Sequence, residues 1–233
     1  MADEWSPVLE SCALFQGMSA EQIRNLLPCL SASSRSCQKG DVLKLTGQAQ
    51  NSFGLVLDGE IHVQQEDNAG NRLIIGIFGP GELFGEVSAF AGDGQWPNTV
   101  QASKRGHILF IPTEKISHPC CKVCQAHQFL IHNMLMIVAG KALTMNRRIG
   151  YLKLKGMREK LAAYLYDLYC RQGVKELELP MNRENMADFL NVSRSSMSRE
   201  LGRMRDEGLL DFHRSHLLIK DLNALWSLNA VMA

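Results

Sequence analysis

The pattern of apolar and polar positions changes character near residue 125. Between Gly40 and Pro112, the apolar runs SFGLVL, RLIIGIF and HILFIP are separated by the turn signals DG, NAG and GPG. Short apolar runs at regular spacing between glycine-containing turns predict the strands of an antiparallel sandwich or barrel. The first 30 residues predict short helices packed on that β-roll. Their apolar positions are Leu14, Phe15, Ile23, Leu26 and Leu27.

The stretch from Gln125 to Lys155 predicts one long helix, because it lacks proline and has glycine only at 140 and 150. One apolar row steps by alternating intervals of four and three, which is the a/d register of a two-stranded coiled coil. A second row, Leu130, Met134 and Ile137, predicts that part of the helix packs on its own roll. A helix buried wholly against its own domain is the alternative, but the strict register favours a homodimer. The predicted dimerisation positions are Ile131, Leu135, Val138, Ala142, Met145, Ile149 and Leu152.

The segment NRENMADFLNVSRSSMSRELGRMRDEGLLDF has the pattern of a helix-turn-helix. It follows a separate helix, MREKLAAYLYDLYCRQG, which begins after Gly156 and stops at Gly173. A first helix at 183–190 leads to a tight turn, and Ser193 is a good N-cap for a second helix. We expect the apolar face of that second helix, Met197, Leu201 and Met204, to pack on the first.

The other face of the second helix carries the candidate chemistry: Arg194, Ser195, Ser198 and Arg199. A major-groove reader needs donors at its N-terminal turns, and arginine can bond guanine through two hydrogen bonds. The following LLDFHRSHLLI predicts a strand–turn–strand wing with Arg214 at its tip. A solvated amphipathic helix without a nucleic-acid role is the alternative, but the whole package favours DNA.

Charge and composition agree with this division. The chain has 233 residues, and its net charge of +1 conceals 13 acidic against 9 basic residues in 1–124, and 11 against 16 in 125–233. A basic second half fits a polyanion, although ordinary scatter of surface charge would look similar. No apolar run approaches the ~20 residues that span a bilayer, and MADEWSPVLE lacks the order of a signal peptide. We therefore expect cytoplasmic residence and no membrane partner.

The stretch GELFGEVSAFAGDGQWPNTVQA resembles an anion cradle, since a glycine-rich loop that enters a helix can hold a phosphate. It contains no arginine or lysine. Together with the heptad helix and NVSRSSMSREL, its segments GELFGEVSAF and TVQA resemble bacterial transcription regulators of the cyclic-AMP receptor and fumarate–nitrate regulator (Crp/Fnr) type. The resemblance spans nearly the whole chain.

That resemblance implies an α+β architecture in three parts. These are an N-terminal antiparallel β-roll of the cyclic-nucleotide-binding jelly-roll type at 1–124, a dimerisation helix at 125–155, and a winged helix-turn-helix at 156–233. It implies a homodimeric regulator with a small-molecule effector in the roll, palindromic promoter DNA, and RNA polymerase as a further partner. The implied effector residues are Gly85, Glu86, Val87, Ser88, Trp96, Asn98, Thr99, Leu135, Val138 and Ala142. The implied DNA-binding residues are Asn182, Arg183, Ser193, Arg194, Ser195, Ser198, Arg199 and Arg214.

The chain departs from the family pattern where members hold cyclic AMP. Those members carry an Arg-Ser pair where this sequence has Trp96-Pro97, so a cyclic phosphate would lose its charge-assisted partner. The helix positions that hold the adenine correspond to Ala142-Leu143, which have no hydroxyl. Cyclic AMP is therefore not expected, and an apolar or aromatic effector suits the site better. In the recognition helix the family's Ser-Arg-Glu becomes Ser-Arg-Ser at 193–195, which predicts a changed base preference.

The cysteines offer an alternative sensor. HPCCKVCQAH holds Cys120, Cys121 and Cys124 between two histidines, and such a cluster before a helix can bind metal or act in redox chemistry. Simple packing is the other interpretation, so no metal is assigned. Family members with an iron–sulfur cluster use an N-terminal cysteine cluster, which the spread of Cys12, Cys29 and Cys37 does not match. An enzyme on a cupin-like roll is disfavoured, since the roll has only two separated histidines and no His-x-His.

Overall fold

Residues 5–66, 72–118 and 125–228 are described by a computed structural model. The chain divides into two units, Met1–Gly140 and Lys141–Ala233. The division falls inside one helix, α5 (Gln125–Lys153), which matches the predicted long helix to within two residues. The predicted domain boundaries after residues 124 and 155 follow the ends of that helix instead, and they stay predictions. No helix in the described ranges has the length and apolar character needed to cross a bilayer.

The first unit is an antiparallel β-roll preceded by short helices, as predicted. The helices are α1 (Ser6–Ser11), a 3₁₀ turn (Ala13–Phe15) and α2 (Ala20–Leu26). The strands are β1 (Ser33–Cys37), β2 (Val42–Lys44), β3 (Ser52–Glu66), β4 (Arg72–Phe78), β5 (Leu83–Phe84) and β6 (Thr99–Pro112). Helix α3 (Glu86–Ala91) lies between the last two strands, and α4 (Glu114–Ser117) follows them. The sheet order is β1–β6–β3–β4, with β2 also on β6 and β5 also on β3.

Alternation along β3 gives the roll two apolar faces. Phe53, Leu55 and Leu57 belong to one buried apolar cluster, called here the helix-side cluster, which also contains Leu130 and Met134 of α5. The predicted packing of the second apolar row on the roll is thereby confirmed. The opposite face holds a second cluster, called here the roll cluster: Cys37, Leu43, Val56, Ile61, Phe84, Trp96, Val100, Ala102, Ile108 and Phe110.

The second unit contains the predicted helix-turn-helix and wing. Its helices are the end of α5, α6 (Met157–Gln172), α7 (Arg183–Leu190), α8 (Arg194–Asp206) and α9 (Leu222–Ser227). Its strands are β7 (Glu176–Glu178), β8 (Leu210–His213) and β9 (His216–Ile219), in the order β7–β9–β8. The apolar faces of α6, α7 and α8 share one core, as expected for Met197, Leu201 and Met204. The short strand β7 and the last helix α9 were not anticipated.

Candidate nucleic-acid interface and sensing site

The turn between α7 and α8 is fixed by local hydrogen bonds. Asn182 caps α7, because its Oδ1 accepts from the backbone N–H of Asn185 at 2.9 Å. Helix α7 ends at Asn191 in the left-handed region with φ of 52°, a conformation that asparagine tolerates better than most residues. Ser193 then caps α8, since its Oγ accepts from the Ser196 N–H at 3.2 Å. These caps fix where α7 and α8 begin.

Helix α8 presents the predicted polar face to solvent. Arg194, Ser195, Ser198 and Arg199 are all exposed, whereas the residues of the opposite face are buried. The Arg199 guanidinium lies along the helix, where Nε donates to the carbonyl of Ser195 at 3.3 Å. Weak donations of this kind leave the remaining N–H groups of the guanidinium available to a base or a phosphate. The structure therefore brings these four predicted residues onto one accessible surface.

A residue that the sequence did not single out anchors α8 from behind. Arg158, at the start of α6, donates from Nη1 and Nη2 to the two carboxylate oxygens of Glu207 at 2.7 Å each. Its Nε donates to Glu200 at 2.6 Å. The Arg158 hydrogen bonds hold the pKa of the Glu207 carboxyl below its ordinary value. Because the two glutamates flank the last turns of α8, Arg158 fixes the helix against α6.

The remaining predicted DNA contacts meet at the wing. The wing tip is Arg214-Ser215, where Arg214 has φ of 54°. The Ser215 carbonyl accepts from the Leu179 N–H at 2.8 Å, which ties the tip to the segment before α7. A cavity of about 330 Å³ lies at this junction, lined by Leu179, Pro180, Met181, Asn182, Arg183, Arg214 and Ser215. Asn182, Arg183 and Arg214 therefore share one site.

The glycine-rich stretch packs on its own tryptophan. Gly85 precedes α3 with φ of 76°, and a Cβ added there would overlap the ring of Trp96. Trp96 is 2% exposed and belongs to the roll cluster. The Gln50 amide donates from Nε2 to the Gly85 carbonyl at 2.8 Å. Glycine is required here both by the backbone conformation and by the closeness of the ring.

The cation missing from that stretch comes from another strand. The Lys44 ammonium on β2 lies 5.0 Å from the ring centroid of Phe110 and 5.8 Å from that of Trp96. Burial and the nearby Arg35 lower the pKa of Lys44. Trp96 Nε1 and Gln50 Oε1 are buried without a hydrogen-bond partner, so each could pair with a polar group of an effector. Sequence reasoning missed Lys44 and Gln50 because neither lies in the stretch.

The other predicted effector positions are spread more widely. Glu86 is buried, Val87 is 40% exposed, and Ser88 donates to the Gly85 carbonyl at 3.2 Å. Asn98 is partly buried, and Thr99 accepts from the Thr46 N–H at 3.3 Å. On α5, Leu135 is 65% exposed and Val138 packs against the helix-side cluster, while Ala142 belongs to the second unit. The structure thus groups Gly85 and Trp96 with Gln50 and Lys44, and the remaining assignments stay predictions.

The predicted dimerisation row is accessible along most of α5. Its exposed large members are Ile131, Leu135, Met145, Ile149 and Leu152, and Ala142 is exposed as well. Val138 differs, because it also contacts the helix-side cluster. An exposed apolar row of this length on one helix fits a partner surface.

The cysteine cluster, Cys120, Cys121 and Cys124, lies outside the described residues. Of the flanking histidines, His127 is buried with Nε2 3.1 Å from the Lys115 carbonyl. Burial raises the pKa of the Cys12 and Cys37 thiols, which lowers their reactivity. In the part of the chain that the structure describes, no group of three His, Cys, Asp or Glu side chains is placed to hold a metal ion.

Each of the two units contains a segment that matches a known protein family. The Crp-like helix-turn-helix domain family matches residues 159–228, and the cyclic nucleotide-binding domain family matches residues 34–118. The fumarate and nitrate reduction regulatory protein of Shigella dysenteriae is 27% identical over 193 residues, covering 81% of this chain and 75% of the relative. The anaerobic regulatory protein of Pasteurella multocida is 25% identical over 214 residues, covering 90% and 76%.

Solved structures share the fold at lower identity. CprK complexed with OCPA superposes with a TM-score of 0.67 at 17% identity, covering 90% of this chain and 94% of that one. The catabolite activator protein of Thermus thermophilus gives 0.52 at 20% identity, covering 95% and 100%. With matching families over both units and regulators among its relatives, the chain belongs to the Crp/Fnr superfamily and is a DNA-binding transcription regulator.

Proposed function

We propose that this regulator binds palindromic promoter DNA as a homodimer and that a small molecule other than cyclic AMP, held in the roll, controls its DNA affinity. The observation that carries the proposal is the face of Arg194, Ser195, Ser198 and Arg199 on α8, exposed above a fully buried opposite face. A helix held in this way, with a wing beside it, suits entry into the major groove. Regulation at a promoter would bring the protein against RNA polymerase, in the cytoplasm.

The exposed row on α5 supports the dimer. Leu135 and Met145 are 65% and 63% exposed, although both are large apolar side chains. Pairing two copies along this row would bury it and would relate two α8 helices by a two-fold axis. A two-fold protein binds two half-sites about one helical turn apart, which predicts a palindromic operator.

The roll supports an effector other than cyclic AMP. A phosphate placed at the Gly85 backbone would meet the Trp96 ring, which occupies the same space as a Cβ at that glycine. The groups available there are an indole N–H, an amide oxygen and the partly buried Lys44, which suit a mainly apolar or aromatic molecule with one acidic or polar group. Other proteins of this fold differ in their ligands: one is CprK complexed with OCPA, and another is described as c-di-GMP responsive.

Selection of duplexes from a random-sequence pool tests the DNA proposal. The wild-type protein should recover a motif with two inverted half-sites, and its binding should weaken as salt rises because phosphate contacts release counterions. Failure to recover a motif, or a DNA affinity that does not change with salt concentration, would contradict the proposal.

Thermal denaturation with added cyclic AMP tests the effector proposal. A ligand at 100 times its dissociation constant stabilises the folded state by about 2.7 kcal/mol, so tight binding would raise the melting temperature clearly. We expect no shift with cyclic AMP, and a shift of several degrees would refute this part. A panel of aromatic carboxylic acids, with Lys44→Met as the control variant, then searches for the effector class.

The alternative is a redox- or metal-responsive regulator that senses through Cys120, Cys121 and Cys124. Two observations favour this alternative. The cysteine cluster directly precedes α5 in the sequence, and the relatives of this chain include a fumarate and nitrate reduction regulatory protein. Metal content and thiol titration of anaerobically purified protein separate the two ideas. Metal-free protein whose DNA binding is unchanged by Cys120→Ser and Cys124→Ser would remove the alternative.

A further inference from the structure

Phe212 of β8 lies beneath two arginines of the DNA-binding unit. The guanidinium carbon of Arg183 is 4.9 Å from the ring centroid, and that of Arg205 is 5.6 Å away. An arginine over an aromatic face gains from about 0.5–1 kcal/mol at exposed sites to ~2 kcal/mol where water is excluded. The ring therefore limits the directions in which both guanidinium groups can point.

The two arginines differ in what else they contact. Arg205 pairs with the carboxylate of its neighbour Asp206, at 2.9 Å from Nη2. In Arg183, Nη1 is buried and has no hydrogen-bond partner, and burial lowers the pKa of the group. A buried guanidinium nitrogen without an acceptor is unfavourable, and an anionic oxygen would relieve that cost. Arg183 is thus held ready for an anion, whereas Arg205 already has one.

The space beside Arg183 fits such an anion. The cavity of about 330 Å³ is lined by Arg183 together with Arg214 and Ser215 of the wing tip. It also lies at the start of α7, where the helix dipole favours negative charge. Two arginines and a serine line this one cavity at a helix N-terminus, and these are the residue types that bind a phosphate group.

We propose that Phe212 is a positioning residue that holds Arg183 toward this cavity, and that Arg183 and Arg214 together bind one phosphate of the DNA backbone there. The inference rests on the proposed mode of DNA binding and adds a division of labour to it. The contact at the cavity sets the register of the protein on the duplex, while the exposed face of α8 reads the bases.

The test compares Arg183→Gln, Phe212→Leu and Phe212→Tyr over a salt series, on the duplex selected by the wild-type protein and on a scrambled duplex. Arg183→Gln should weaken binding to both duplexes by a similar factor and lower the slope of log K against log salt by up to about 1.8 in the homodimer, about 0.9 for the one phosphate that each protomer contacts. Phe212→Leu should reproduce both effects, and Phe212→Tyr should keep wild-type behaviour. The double variant Arg183→Gln with Phe212→Leu should lose no more than Arg183→Gln alone.

Two further variants keep the test decisive. Arg205→Gln should leave the salt slope unchanged, which assigns the effect of Phe212 to Arg183. If Phe212→Leu fails to fold, Arg183→Lys takes its place, because lysine keeps the charge but loses the planar group that stacks on the ring. A wild-type slope in Phe212→Leu or Arg183→Lys, or losses that add in the double variant, would overturn the positioning role alone. A wild-type protein without salt-dependent DNA binding would overturn the proposed function as well.

Discussion

The hydroxyl of Tyr151, near the end of α5, donates to Oδ2 of Asp167 on α6 at 2.9 Å. Asp167 also pairs with Arg147 at 3.4 Å and with Arg171 at 3.2 Å. Burial, followed by the charge of Asp167, raises the pKa of Tyr151, so the group stays a neutral donor. One carboxylate thus joins the last turns of α5 to α6, the helix on which α8 packs.

Replacing Tyr151 with phenylalanine should destabilise the second unit by about 1.5–3 kcal/mol, the range for a hydrogen bond to a charged group. Urea denaturation measures the loss. Tyr164→Phe is the matched control, because the Tyr164 hydroxyl is buried beside the same site without a hydrogen-bond partner. That control should be neutral or stabilising, and equal losses in both variants would contradict the assigned hydrogen bond.

Substituting alanine at Gly85 should be costly, because the new Cβ needs a left-handed backbone and also meets the ring of Trp96. We expect a loss of about 2–3 kcal/mol or more, as for other strained or overpacked core sites. Gly92→Ala measures the cost of the left-handed backbone alone, since Gly92 has φ of 89° but open space around its Cβ. The difference between the two variants is therefore the cost of the contact with Trp96. Thermal denaturation should show a clearly smaller loss for Gly92→Ala, and a loss as large as that of Gly85→Ala would argue against the packing on Trp96.

Arg158→Gln should loosen α8 by removing its paired hydrogen bonds to Glu207 and Glu200. The side chain of Arg158 is partly exposed, so we expect about 1 kcal/mol in chemical denaturation. DNA affinity should fall as well, because the recognition surface loses its support. Arg203→Gln is the control, since Arg203 pairs with Glu200 from an exposed position and should change stability by less than about 0.5 kcal/mol. If the two variants behave alike, Arg158 has no special anchoring role.

Met145→Lys should convert the dimer to monomers, because it places a charge in the proposed apolar seam of α5. Met145 suits this test better than Val138, which also packs in the helix-side cluster and would unfold the roll if charged. Met136→Lys, an equally exposed methionine off the heptad row, should leave the dimer intact. Sedimentation equilibrium distinguishes these outcomes, and dimers retained in Met145→Lys would exclude the seam.

Local signals made much of the fold predictable. The caps at Asn182 and Ser193, the 3.6-residue period of α8 and the strand–turn–strand pattern of the wing each depend on residues close in sequence. Strands β1 and β7 were missed because SSRSC and ELE bury only one residue each, so they carry no alternating apolar pattern. Both segments are strands because they pair with neighbouring strands, and not because of their own composition.

The chemistry of the sites was less predictable, because it depends on contacts between distant segments. The position of Lys44 over Trp96 follows from the pairing of β2 with β6, and the position of Arg183 over Phe212 follows from the packing of the wing on α7. A motif shows which residue types are present, but only the folded chain shows which of them share a cavity. The absence of a cation inside the glycine-rich stretch therefore did not mean an absence of charge near it.

Base reading by α8 is tested most directly by measuring how Arg199→Ala changes affinity for the selected duplex and for duplexes with single base changes, relative to a scrambled sequence. We expect a loss of about 1–3 kcal/mol for each half-site of the selected duplex, relaxed discrimination at one base pair of each half-site, and little change on the scrambled duplex. Arg203→Ala, on the same helix, should retain the wild-type preference. Unchanged discrimination in Arg199→Ala, or an equal loss on every sequence, would contradict the claim that the exposed face of α8 reads DNA.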